Sequence, residues 1–258
     1  MSDALHAEWT KLRTLTSTAW LLAGAVVLTV AVTVAVAAGT HQSPGGGGRQ
    51  DPTKLALVGV DLGQVIIAML AVLVISDEYA TGMIRVTLAA TPRRVTLLGA
   101  KAVNVAGLTL AAGVLAVAGC LLAGRLLLPG AGFDPAHEYA LVAITHGSTL
   151  RAGAGSVLYL VLIALLALGV ATAIRDTAVS IGAVLALLYL PPLLAQVVAD
   201  PLRRHLEQIA PMTAGLAIQA TTNLHNLPIA PWAGLGVLAA WAAASLLVAG
   251  VLLQHRDA

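Results

Sequence analysis

Between Ile75 and Lys101 the chain reads ISDEYATGMIRVTLAATPRRVTLLGAK, and this stretch holds Asp77, Glu78, Arg85, Arg93, Arg94 and Lys101. Those are six of the 14 basic and 12 acidic side chains in the protein. Their spacing suits docking better than catalysis. Ser76 is placed to cap a short helix with Asp77 and Glu78 in its first turn, where carboxylates favour the positive helix end. Tyr79, Met83, Val86 and Ala90 then share one face, and Asp77, Thr81 and Arg85 another. Thr91-Pro92 stops this helix and starts the next, with Thr91 as N-cap and Pro92 at the first helical position. Arg93, Arg94 and Lys101 then line the entrance to a membrane span, within reach of anionic headgroups.

Other polar residues are sparse. Asp61 and Gln64 sit inside an apolar stretch, about two turns from its outer end. An acid there either lines a translocation path or is an interfacial group that reaches water near Lys54. Gly63 beside it permits a close helix contact. The histidines (His6, His41, His137, His146, His205, His225 and His255) show no i, i+4 pair of the kind that binds metal on a helix. Gly45 to Gly48 is followed by Arg49-Gln50, with no strand before it and no Gly-Lys-Ser/Thr ending, so it is a flexible linker and not a phosphate-binding loop. Ser148, Ser156 and Ser180 lack a nucleophile-elbow context. Cys120, the single cysteine, reads as a small core residue.

These groups are positioned by apolar helices. Hydrophobic residues make up 59% of the chain and charged residues 10%, against roughly a quarter charged in soluble domains. The composition is that of a membrane protein built from small and aliphatic side chains, which suit close helix approach in lipid. A net charge of +2 gives no basis for nucleic-acid binding. Six spans are expected, at about 19–39, 55–75, 102–123, 151–174, 178–198 and 232–253, each near the ~20 residues that cross a bilayer. Residues 4–15 form an amphipathic helix lying in the interface, with Leu5, Trp9 and Leu12 on one side and Lys11 and Arg13 among the polar groups; a frayed tail is the plainer alternative. The apolar run after it is about twice the length of a signal-peptide core.

Arg175, Asp176 and Thr177 alone join the fourth span to the fifth, so those helices must be antiparallel neighbours. Pro191 and Pro192 should kink or end the fifth helix. Between Asp200 and Pro231 an apolar patch too short to span, MTAGLAIQA, suits a re-entrant or interface-lying piece. With both termini inside, the inner segments carry Lys11, Arg13, Arg85, Arg93, Arg94, Lys101, Arg175 and Arg256 at higher density than the outer segments carry Arg49, Lys54, Arg125, Arg151, Arg203 and Arg204. The positive-inside rule therefore places both termini and the Ile75–Lys101 stretch in the cytosol.

The run from Ser76 to Lys101 resembles the segment between the second and third spans of permeases of the type-2 ABC export family. Asp77, Glu78, Tyr79, Thr81, Gly82, Arg85, Pro92, Arg93, Arg94 and Lys101 match that pattern in type and order. EWTKLRT, with Glu8, Trp9, Lys11, Leu12 and Arg13, is similar to the family's elbow helix. The Arg175-Asp176-Thr177 junction and the Pro211…Ala214-Gly215 patch resemble it too, so the likeness runs along the whole chain.

The resemblance implies an all-α polytopic membrane protein with six transmembrane helices, an N-terminal elbow and a cytosolic coupling helix between spans two and three. It implies an export permease in the cytoplasmic membrane that is not itself an enzyme and binds no cofactor, with ATP and Mg held by a separate ABC ATPase subunit. Asp77, Glu78, Tyr79, Thr81, Gly82, Met83 and Arg85 would form the ATPase interface, with the elbow at Trp9 to Arg13. Asp61 and Gln64 would be candidates for the path, between two permeases in a homodimer or heterodimer embedded in membrane lipid. Two rival readings remain: an ATP-independent secondary transporter or channel that uses Asp61, and a membrane scaffold whose central loop recruits a cytosolic regulator.

Overall fold

A computed structural model describes residues 16–40, 50–80, 94–133 and 146–255. Among them every regular element is helical: α1 (Thr16–Gly39), α2 (Pro52–Ala56), α3 (Val60–Ala80), α4 (Arg94–Leu127), α5 (Gly147–Ile174), α6 (Thr177–Ala195), α7 (Leu202–Ile209), α8 (Pro211–Leu216) and α9 (Pro231–His255), with short 3₁₀ turns at Pro129–Ala131, Ala217–Gln219 and Leu224–Asn226. Six of these helices, α1, α3, α4, α5, α6 and α9, are long and apolar enough to cross a membrane. Trp20 and Trp232 are exposed at opposite ends of the bundle, where amphipathic rings favour the two headgroup layers. The elbow at 4–15 and residues 81–93 of the expected coupling helix lie outside the described residues.

The central helix is α5, packed against α9, α3, α4 and α6, while α1 covers the outer side of α3 and α4. Successive spans alternate in direction. Gly59, just before α3, and Gly63 on it meet Thr33 and Thr29 of α1 in antiparallel order, and Gly113 and Gly153 set α4 against α5 in the same sense. One end of the bundle, here the proximal end, therefore holds Thr16, Ala80, Arg94, the Ile174–Thr177 turn and His255. The distal end holds Gly39, Val60, Leu127, Gly147, Ala195 and Pro231.

The expected second span is divided. Asp51 caps α2 with Pro52 in its first turn, and regular helix resumes only at Val60. Gly59 lies at the break because α1 passes against it. A Cβ there would sit 1.9 Å from the Thr29 carbonyl oxygen. The Gly59 N–H donates to the Thr33 hydroxyl (3.3 Å), which donates to the Ala56 carbonyl at 3.1 Å. Cys120 on α4 closes this knot. Its sulfur lies 3.2 Å from the Thr33 hydroxyl, and its thiol donates to the Thr29 carbonyl at 3.6 Å. A Cβ on Gly63 would likewise collide with the Thr29 hydroxyl, so the close contact expected there is present. Gly59→Ala should lower the unfolding free energy by about 2 kcal/mol, since overpacking without a slack neighbour moves backbone. Thermal unfolding in mild detergent reads it against Gly182→Ala, whose new methyl meets nothing within 4 Å. Equal midpoints for the two variants would contradict the tight crossing.

Three expectations at the proximal end change. Ser76 does not cap a new helix: it is buried inside α3, which continues unbroken to Ala80. The third membrane helix begins at Arg94, not near Ala102, and runs 34 residues, about 51 Å at 1.5 Å per residue. Lys101 is consequently two turns inside a helix and only 1% exposed, so it does not reach out to headgroups. The apolar small residues on both sides of it let α4 stay helical where charge alone suggested the membrane edge. The proline pair Pro191-Pro192 lies within α6, which continues to Ala195.

Residues 195–231 fold back along the distal half of the bundle. α7 is amphipathic and has no buried residue; Arg203 reaches Asp200 (3.7 Å) and Glu207 (3.6 Å) on its exposed side. The Trp241 indole donates to the Ile209 carbonyl at 2.9 Å, which pins the turn between α7 and α8 beside the third turn of α9. From there α8 climbs back toward the distal end between α5 and α9. Gly215 rests on the Tyr159 ring, and a Cβ on Gly234 would lie 1.9 Å from the Ala214 carbonyl oxygen. Unlike α7, the stretch from Ala214 to Ala220 is largely enclosed by neighbouring helices, as irregular backbone must be wherever it lies at membrane depth.

Candidate functional site

Two polar clusters stand out, one at each end. At the proximal end, α5 stops at Ile174 and Arg175 takes a left-handed conformation (φ 66°), its N–H bonded to the Ala171 carbonyl at 2.9 Å. Asp176 then caps α6 through the Val179 N–H at 2.8 Å. The helix reversal expected at 175–177 is thus made by two residues. It aims the Arg175 guanidinium over the Tyr79 ring, 5.4 Å from its centroid, a cation–π geometry. Tyr79 is in the last turn of α3, with Asp77 exposed two residues before it. The last turn of α3 and the α5–α6 turn therefore meet. Of the other residues expected at the ATPase interface, Glu78 falls in α3, but its side chain is outside the described set. Thr81, Gly82, Met83 and Arg85, and Trp9, Lys11, Leu12 and Arg13 of the elbow, lie outside it altogether.

At the distal end the structure joins Asp61 and Gln64 to residues the sequence reading passed over. Because α3 starts at Val60, Asp61 is in its first turn, shallower than expected. Gln64 is fully buried. Its amide donates to the Asp61 carbonyl (2.9 Å) and to the Tyr189 hydroxyl (3.1 Å). The Tyr159 hydroxyl donates to Gln64 Oε1, and the Tyr189 hydroxyl donates to the Asp61 carbonyl. One glutamine thereby ties α3 to α5 and α6. The signal was available in the sequence: Tyr159 and Tyr189 are two of only four tyrosines, both inside spans, where a phenol needs a partner. Gln64→Leu should cost about 1–2 kcal/mol, because it orphans the buried Tyr159 hydroxyl; bilayer helices moderate such costs. The measurement is thermal unfolding of the variant, and an unchanged midpoint would refute the tie.

Above this network lies an open pocket of about 290 Å³ lined by Gln50, Asp51, Lys54, Leu55, Val58, Asp61 and Gln219. Asp51 is saturated. It accepts from Thr53 N (3.0 Å) and Lys54 N (3.2 Å) within its own helix start. Across the bundle it accepts from the Thr221 N–H, the Thr221 hydroxyl (2.7 Å) and the Thr222 N–H (3.0 Å). Arg151 secures the same strand of backbone through the Ala220 carbonyl at 2.6 Å, and Gln219 donates to Ser156 at 3.2 Å.

Together, six apolar helices that alternate in direction, a segment folded back along the bundle and polar clusters at both ends define a multi-pass α-helical membrane protein. No family model matches the chain, and no curated protein matches it.

Proposed function

We propose that this chain is the membrane-spanning permease subunit of an ATP-driven exporter of the type-2 ABC kind. It would lie in the cytoplasmic membrane with its proximal end in the cytosol, working as a dimer with ATPase subunits that hold ATP and Mg. The observation that carries this reading is the contact of Tyr79 with Arg175. It joins two of the stretches that resemble that family, the end of α3 and the α5–α6 turn, into one surface at the end of the bundle that the positive-inside rule assigns to the cytosol. A push delivered just beyond Ala80 has a stiff path. α3 is unbroken for 21 residues and ends distally in the Gln64 network, which grips α5 and α6. Force on the proximal surface can therefore tilt three spans together, which an isolated loop could not do. Affinity purification in mild detergent followed by an ATPase assay tests it. A nucleotide-binding subunit should co-purify, and its absence would overturn the reading.

The distal pocket supports a second reading, an ATP-independent transporter that uses Asp61. That reading requires transport by the chain alone in liposomes, and its loss in Asp61→Asn.

A further inference from the structure

We infer that the distal pocket is a binding site for a ligand bearing a protonated primary amine on a short apolar stem. The inference does not depend on an ATPase partner, because it concerns binding to this chain alone.

The pocket is lined by one acceptor that the protein leaves unused, on Asp61. Asp61 Oδ1 is buried with no hydrogen-bond partner among the described residues. It is not used in the network beneath it, which engages only the Asp61 backbone carbonyl. A buried acceptor of this kind is costly unless a donor fills it. Gln219 also lines the pocket, with its amide nitrogen committed to Ser156.

The charge inventory then selects the donor. The pocket holds Asp51, Asp61 and Lys54. The carboxylate of Asp51 is consumed by five N–H and O–H donors, and Lys54 is exposed. No ion pair within 4 Å joins Lys54 to Asp61. A carboxylate oxygen without a donor, with Lys54 as the pocket's cation but not bonded to it, matches an ammonium group, which carries one charge and three donors. A divalent cation would ask for more oxygen ligands than Asp61 and Gln219 offer. Leu55 and Val58 supply the wall for an aliphatic stem, and about 290 Å³ accommodates a small amine but not a bulky lipid. The pocket opens at the distal end, so the amine enters from that side.

The test uses the full chain in lipid nanodiscs with radiolabelled n-pentylamine as probe and N-pentylacetamide, its acetylated, uncharged analogue, as control. The free amine should bind saturably, and the acetylated analogue about tenfold or more weaker, the usual size of a lost charge-assisted hydrogen bond. Asp61→Asn should weaken the free amine by a similar factor with little effect on the analogue. Lys54→Gln, at an exposed position that does not threaten folding, should tighten it roughly twofold to threefold by removing a like charge. Equal binding of the two probes, or unchanged binding of the amine to folded Asp61→Asn, would overturn the assignment. So would weaker binding to Lys54→Gln.

Discussion

Asp51→Ala should lower the unfolding free energy by about 3 kcal/mol, the largest loss expected from any single polar side chain at the distal end. Two effects combine. Loss of the N-cap on α2 removes the acceptor for Thr53 N and Lys54 N, worth about 1 kcal/mol. Loss of the long-range contacts frees Thr221 and Thr222, whose backbone N–H groups then depend on water. The carboxylate is partly exposed, so the second contribution is smaller than five buried ionic hydrogen bonds would give. Hydrogen exchange separates the effects. The amides of Thr221 and Thr222 should lose protection in Asp51→Ala, and Asp51→Asn should keep part of it by retaining one acceptor oxygen. A variant that melts like the parent with Thr221 still protected would show that Arg151, through Ala220, is enough to hold the folded-back segment.

Asp51 also shows where a sequence stops being informative. Asp-Pro-Thr is a local helix-start signal, which the expected span start at residue 55 passed over. Its reach to Thr221, 170 residues away, has no periodicity or motif behind it. The six spans were legible because hydropathy over ~20 residues is a strong signal in lipid, and so was the tight reversal at 175–177, which the structure makes with two residues. Span ends were less so. Charge suggested that α3 ended at Ile75 and α4 began near Ala102. Yet Ser76 and Lys101 are both buried in continuous helix, because packing against neighbouring helices overrides a local cap signal. At the distal end the reading found Asp61 and Gln64 but not the partners that give them meaning. Tyr159, Tyr189 and Gln219 come from three different segments, and only folding brings them together.

Arg175→Gly isolates the mechanical role proposed for the proximal surface, because its effects on stability and on coupling should differ. Arg175 sits at φ 66°, a conformation that costs a non-glycine residue about 1 kcal/mol or more. Glycine removes that cost. It also removes the cation–π contact with Tyr79, worth about 0.5–2 kcal/mol according to solvation, together with any other contact of the guanidinium. The two changes oppose each other, so the unfolding midpoint should move little. Coupling should not survive so well. If force passes from the end of α3 to the α5–α6 turn through Tyr79 and Arg175, substrate-stimulated ATP hydrolysis by the assembled complex should fall by on the order of tenfold to a hundredfold, the range of an ordinary coupling free energy. Basal hydrolysis by the ATPase and co-purification of the subunits should persist. Arg175→Lys keeps the charge and part of the ring contact and should recover part of the stimulation. A stable Arg175→Gly complex with undiminished stimulation would exclude this contact as the transmission point, and would leave the α3 end to act through residues beyond Ala80.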